Sequence, residues 1–269
     1  RGALARKPTV SPLAEGLAPH LARHLLSRAG EQRRSTLDRQ LQRLARDALR
    51  RHLHELADRG AQDGAVVVLD NATGEVLAWV GSSGALSAAS EVDAALAPRQ
   101  AGSTLKPFLY AIAIRDRRLT AASLLEDRPA NLPVGGGLYL PQNYDRQFRG
   151  WISARTALAS SLNVPAVRVS AMVTPQQLAV ELRALGLSTV DQPGDHYGHS
   201  LALGSADVTL AELTNAYRAL AQGGRVTPMR FTAATSRPPD IAAPARLPAV
   251  TPATALPPAA SFVVADILS

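Results

Sequence analysis

Cysteine is absent from this 269-residue chain and lysine nearly so: of 29 basic residues only Lys7 and Lys106 are lysines. Without thiols there are no disulfides and no thiolate metal sites. Aromatic residues make up 4%, too few for a base-stacking platform, so the net charge of +7 does not read as a nucleic-acid surface. Much of that charge lies in "EQRRSTLDRQLQRLARDALRRHLHEL", where arginines interleave with leucines as on a solvated helix face. No apolar run approaches the ~18 residues that would cross a bilayer. What is present is apolar content sufficient for a core, 46% against 19% charged. The chain opens on Arg1 without a signal-peptide pattern, so it reads as a piece of something longer.

The organisation follows from changes of period and punctuation. Residues 1–34, with Pro8, Pro12 and the helical patch "APHLARHLL", suit a connector. A capping box from Ser35 to Asp38 predicts a helix with Leu37, Leu41, Leu44, Leu53 and Leu56 on its core face. In "GAVVVLDNATGEVLAWVG" two apolar runs, Ala65–Leu69 and Val76–Val80, flank a turn with Asp70, Asn71 and Gly74, which predicts a hairpin. The unbroken Val66–Val68 predicts a strand covered on both faces. Helical spacing runs from Ser103 to Asp116, and Pro107 fits only if the helix starts near Ser103.

The stretch "EDRPANLPVGGGLYLPQNYDRQFRG" reads as a long loop, functional or mobile, with Gly135, Gly136 and Gly137 as turn glycines lacking any phosphate-loop context. Two helices are cleanly punctuated: "TPQQLAVELRALG" by cap Thr174, box residue Gln177 and stop Gly186; "TLAELTNAYRALAQGG" by Thr209, Glu212, Gly223 and Gly224. A Pro- and Ala-rich stretch, 236–260, reads as surface loop before "ASFVVADIL" opens a further element.

The chemistry concentrates at "GSTLKPFLYA". A serine at a helix start with a lysine three residues on places both side chains on one face. A serine hydroxyl becomes nucleophilic when a base takes its proton, and a lysine amine can act as that base once burial or nearby cations lower its pKa. A guanidinium cannot, which gives a reason for Lys106 in so arginine-rich a chain. The bland alternative is that Ser103 caps the helix and Lys106 points to solvent. A second cluster, "TALASSLNVPAVRV", offers Ser161 as a proton-relay hydroxyl and Asn163 as an amide gripping a peptide; alternatively Asn163 caps a helix beginning near Pro165 and Ser161 is an ordinary helix end. His196 and His199 stand three apart with only Asp195 near, which favours a polar loop over a metal site.

The strings "GSTLKPFLYA", "PQNYDRQFRG", "ASSLNVPAVRV" and "LALGSADVTLAELTNAYRALAQGG", in this order, resemble the transpeptidase domain of class A penicillin-binding proteins, the penicillin-binding protein 1C group above all. The resemblance covers residues 35–269, with 1–34 as the connector after an absent glycosyltransferase domain. It implies an α/β (α+β) fold, a helix-covered antiparallel sheet of the serine D,D-peptidase and β-lactamase type. It also implies a peptidoglycan D,D-transpeptidase: Ser103 the acylated nucleophile, Lys106 its proton partner, Ser161 and Asn163 the second motif. The implied partners are stem peptides ending in D-Ala-D-Ala and, as covalent inhibitors, β-lactams; no cofactor, metal or nucleic acid is implied. The implied location is the periplasmic face of a bacterial inner membrane, anchored by a segment outside this chain.

The family's third motif, Lys-Thr-Gly on a core strand, has no counterpart, since neither lysine precedes Thr-Gly. Truncation after "ASFVVADIL" is the reading preferred for that gap. The rival functions are a D,D-carboxypeptidase or β-lactamase, and a noncatalytic β-lactam-sensing or scaffold domain.

Overall fold

The computed structural model describes residues 16–130, 132–134, 137–233 and 253–269. Lys7, Pro8, Pro12, Gly135, Gly136 and most of the Pro/Ala-rich tail lie outside the described residues. The chain forms two compact units: Arg1–Val68, Val76–Leu96 and Phe231–Leu247 make the first, Leu69–Glu75, Ala97–Arg230 and Pro248–Ser269 the second.

In the first unit, α1 (Pro19–Leu25) and α2 (Arg39–Glu55) accompany the strands β1 (Val66–Leu69) and β2 (Val76–Val80), which pair as the expected hairpin. Gly74, in the connecting turn Leu69–Glu75 that is counted with the second unit, takes at φ 73° the left-handed conformation the turn requires. The cap of α2 is Asp38, whose Oδ1 accepts from the Gln40 and Leu41 N–H groups at 2.8 Å each; Ser35 instead forms an isolated bridge with Thr232.

Apart from Leu53, the leucine stripe of α2 is not its core face. Gln42, Ala45 and Leu53 are buried, while Leu41, Leu44 and Leu56 are exposed. The reason lies in Gln42: its Oε1 accepts from the Trp79 N–H (2.7 Å) and its Nε2 donates to the Trp79 carbonyl (2.9 Å). It thus completes the backbone bonding of β2, and Ala45 beside it allows close approach to Ala78 and Val80. β1 is half-buried along its length rather than covered on both faces.

The second unit is built round a helix. Its elements are β3 (Arg99–Gln100), α3 (Lys106–Arg115), β4 (Leu124–Asp127), β5 (Leu132–Val134), β6 (Gly137–Tyr139), β7 (Gly150–Ser153), α4 (Ala154–Ala159), α5 (Asn163–Val173), α6 (Pro175–Ala184), α7 (Gly194–Tyr197), β8 (Asp207–Val208), α8 (Leu210–Ala221), β9 (Arg225–Val226), β10 (Ala253–Thr254) and α9 (Pro258–Leu268). The α3 sequence KPFLYAIAIR is apolar nearly all round, and a helix of that kind is buried. Residues Lys106–Ala113 are indeed buried, inside a cluster fed by Leu158, Val169, Leu178, Leu182 and Val264. Helices therefore surround the segment that carries the Ser103–Lys106 pair, in the expected α/β class.

The long loop proves partly structured. β4 and β7 pair antiparallel from Leu124↔Ser153 to Asp127↔Gly150, closing the excursion, and β5 pairs with β6 inside it. Strands of three or four residues among prolines and glycines leave no readable alternation. The caps Thr174 and Thr209 hold as expected, accepting from Gln177 N–H (3.2 Å) and Glu212 N–H (3.1 Å). The two box side chains do not reach back to their helix starts: Gln177 Nε2 donates to Asp116 Oδ2 (2.5 Å), and Glu212 Oε1 accepts from Ser188 Oγ (2.5 Å).

Candidate active site

Ser103 does not head an α-helix directly. It lies in a 3-10 turn, Gly102–Leu105, and α3 proper starts at Lys106 with Pro107 in its first turn, where the missing N–H costs nothing. The turn is held from below by a short ladder. β3 pairs with β8 (Arg99↔Val208, Gln100↔Asp207), and the pairing continues as Ala101 N–H to Ala206 carbonyl (3.1 Å) and Gly102 N–H to Gly204 carbonyl (3.1 Å).

Gly204, at φ 78°, packs so tightly here that a Cβ would fall 1.9 Å from the Gly102 carbonyl oxygen. From α8, the Tyr217 hydroxyl donates to the Thr104 carbonyl (2.8 Å), and its ring meets Phe108 edge-on at 5.2 Å. Ser103 is itself exposed, and its Oγ makes no hydrogen bond among the described residues. A hydroxyl on a fixed turn is thus left open to a ligand.

Lys106, by contrast, is buried. Its residue is 1% exposed, so the solvent-facing alternative is excluded. Its Nζ donates to the Ser161 carbonyl (2.5 Å), Ser161 Oγ (3.2 Å) and Asn163 Oδ1 (2.7 Å). Three acceptors match the three donors of an ammonium. Burial nevertheless pushes its pKa down from 10.5 to about 8, because a charge loses solvation inside the protein. The structure therefore brings three of the four sequence-predicted residues, Lys106, Ser161 and Asn163, into one contact set; Ser103 stands three residues before its lysine and makes no hydrogen bond to that set through its Oγ.

The receiving side of that set is a helix junction. α4 ends in a Schellman motif: the Ser161 N–H donates to the Leu158 carbonyl (2.9 Å) and the Leu162 N–H to the Ala157 carbonyl (3.0 Å). The left-handed position of such a motif normally holds glycine; here it is Ser161, at φ 51°. A non-glycine residue there carries about 1–3 kcal/mol of strain, which only a surrounding structure that over-determines it can hold. The strain aims the Ser161 carbonyl and hydroxyl together at Lys106.

Asn163 does not cap a helix near Pro165, because α5 already begins at Asn163. Its Oδ1 is taken by Lys106 and its Nδ2 donates to the Gln142 carbonyl (2.9 Å), leaving one N–H of the amide for a ligand. Gln142 and its neighbour Asn143, whose Oδ1 accepts from the Asn163 N–H (2.9 Å), went unmarked in the sequence. The string "PQNYDRQFRG" carries part of the resemblance, but taken residue by residue its Asn is indistinguishable from loop chemistry. The other flagged pair is elsewhere engaged: His199 Nδ1 pairs with Ser170 Oγ (3.1 Å), and His196 meets the Tyr197 ring edge-on. No group of three or more His, Asp or Glu suited to a metal occurs among the described residues.

The same region of sequence and fold recurs in known proteins. The family model for the penicillin binding protein transpeptidase domain matches residues 64–255. Penicillin-binding protein 1C of Escherichia coli (strain K12) is 35% identical over 218 residues, covering 80% of this chain and 28% of that protein. Penicillin-binding protein 1A of Neisseria lactamica is 34% identical over 164 residues, 60% of this chain and 20% of that one. The chain thus spans less than a third of the length of these curated relatives. Among solved structures, the PonA1 protein from Mycobacterium tuberculosis, in complex with penicillin V, superposes with a TM-score of 0.67 at 22% identity, over 88% of this chain and 62% of that one. With the serine turn, the buried lysine and the strained serine–asparagine junction all inside the matched span, the chain belongs to the transpeptidase domain family of the class A penicillin-binding proteins.

Proposed function

We propose that this chain is a serine-type D,D-transpeptidase domain that cross-links peptidoglycan stem peptides through an ester on Ser103. The observation that carries the reading is Lys106: a lysine buried among three acceptors, its pKa brought to about 8, one turn after an unengaged serine. An amine of that kind exists partly neutral near physiological pH and can accept a proton. Ser103 Oγ attacks the carbonyl of the penultimate D-Ala while its proton passes to Lys106 Nζ. The peptide C–N bond breaks, and the proton returns through Lys106 and Ser161 Oγ to the departing D-Ala amine. An acceptor amine from a neighbouring stem peptide then attacks the ester carbonyl, its proton passes through Lys106 to Ser103 Oγ, and the C–O bond to Ser103 breaks as the cross-link forms. Asn163 holds the donor peptide through its remaining amide N–H. A β-lactam enters by the same route and leaves a stable ester on Ser103.

In this reading residues 1–34 are the connector following a glycosyltransferase domain and 35–269 the transpeptidase domain, placed on the periplasmic side of a bacterial inner membrane. The test is covalent labelling with a fluorescent penicillin, with Ser103→Ala as control, across pH. A neutral amine is the active form and its fraction rises as pH increases, so the labelling rate should climb about tenfold from pH 7 to 9 with its midpoint near 8. Labelling that persists in folded Ser103→Ala, or no labelling by a folded protein that carries every family motif, would overturn the assignment.

A further inference from the structure

Lys106 is held by Asn163, but α5 has no means of its own to hold Asn163. The residue at its N-cap is Leu162, which has no side-chain acceptor. The first N–H groups of the helix are served instead from another element: Asn143 Oδ1 accepts from Asn163 N–H at 2.9 Å and Val164 N–H at 3.2 Å. The other end of that amide is equally engaged. Asn143 Nδ2 donates to both carboxylate oxygens of Asp127 (2.8 and 3.0 Å) and to the Gln147 carbonyl (2.8 Å).

Asp127 is the last residue of β4, fully buried, and takes one further N–H, from Arg149 (2.9 Å). It has no ion-pair partner among the described residues. A buried carboxylate without a cation is expensive, and hydrogen bonds alone offset it here. If the site only needed anchoring of a loop, apolar packing would do so at lower cost. What the carboxylate supplies is direction: it orients the Asn143 amide so that its oxygen, and not its nitrogen, faces α5.

We propose that Asn143 is a positioning residue for acyl transfer, clamped by Asp127 so that the start of α5, and with it the Asn163 oxygen on Lys106, is fixed in place. The chain of contacts runs from Asp127 through Asn143 to Asn163 and ends on the Lys106 amine. Proton transfer is sensitive to displacements of about 1 Å, so loosening this clamp acts on the chemical step rather than on ligand capture. The proposal rests on the reading of Lys106 as the proton acceptor, and its test separates the two.

The chain's two lysines give two side-chain nitrogen resonances in lysine-labelled protein, and Lys7→Arg assigns the one from Lys106. Asn143→Leu removes both ends of the clamp. The expected result is a displaced Lys106 resonance and penicillin acylation slowed about tenfold, with the noncovalent dissociation constant changed less than about threefold, as for one lost buried contact. Asp145→Asn, in the same excursion but on the exposed Arg149 pair, should leave both unchanged.

Should Asn143→Leu fail to fold, the exchange of chemistries decides at pH 8. Asn143→Asp alone sets carboxylate against carboxylate, and the double variant Asn143→Asp with Asp127→Asn restores an amide–carboxylate pair. Recovery of the Lys106 resonance in the double variant sustains the proposal. An unchanged resonance in folded Asn143 variants, or an equal loss of binding and rate, overturns it. A Lys106 resonance that responds to Asn143, together with no acylation by a folded protein that carries every family motif, sinks the transpeptidase reading while leaving the clamp standing.

Discussion

At the scale of single residues, the site concentrates two features that stability alone would remove: a buried amine at Lys106 and a serine in the left-handed conformation at Ser161. The second admits a clean comparison. Ser161→Gly and Ser161→Ala both delete the hydroxyl that faces Lys106 Nζ, and both should cut penicillin acylation by about 10²-fold, the lower range for losing a proton-transfer group. They differ in backbone. Glycine relieves the strain at φ 51° and alanine retains it, so Ser161→Gly should be more stable than Ser161→Ala by about 1 kcal/mol in urea unfolding. Equal stabilities would mean that the junction carries no strain. Restored acylation in either variant would remove Ser161 from the proton path. The candidate residues could be picked from the sequence because Ser103, Lys106, Ser161 and Asn163 stand in short, ordered strings. The conformation of Ser161 was not, since nothing in "ASSLN" distinguishes a left-handed serine from a helical one.

At the scale of elements, local grammar was readable and long-range pairing was not. Thr174 and Thr209 announce their helices because a cap bonds an N–H three residues on. Asp38 displaces Ser35 as the cap of α2, and Gln42 displaces the leucines on its buried side, because both choices depend on where β2 lies. The ladder beneath Ser103 is likewise a contact between residues a hundred apart, and its tightest point is Gly204 against Gly102. Gly204→Ala would drive a Cβ into the Gly102 carbonyl and force a left-handed alanine as well. The turn that carries Ser103 must then shift. We expect acylation to fall at least about tenfold, since small misplacements of a nucleophile are costly, with helical circular dichroism retained. Gly102→Ala is the matched control: it shares the positive φ, but a Cβ there meets nothing within 4 Å, so the strain without the collision should cost distinctly less. Equal losses would assign the effect to backbone conformation rather than to the close approach.

At the scale of the whole chain, the described residues hold strands only in pairs, and the hairpin of β1 and β2 is one of them. A two-stranded sheet is marginal by itself, and β1, the VVVL strand, has an outer edge with no partner among the described residues. The 269 residues also contain no Lys-Thr-Gly, the motif whose strand, by the resemblance, supplies one of the two oxyanion amides, the other being the N–H of Ser103. The two observations meet in one experiment. A chain extended past Ser269 to include a Lys-Thr-Gly strand should acylate faster than these 269 residues by about 10²–10³-fold, the cost of one missing oxyanion donor. It should also protect the amides of Val66–Leu69 from hydrogen exchange, because an added strand covers an open edge. Faster acylation without that protection would place the new strand elsewhere in the fold. Protection without faster acylation would show that the Ser103 turn already provides the anion hole by itself, and that the strand contributes only to the sheet.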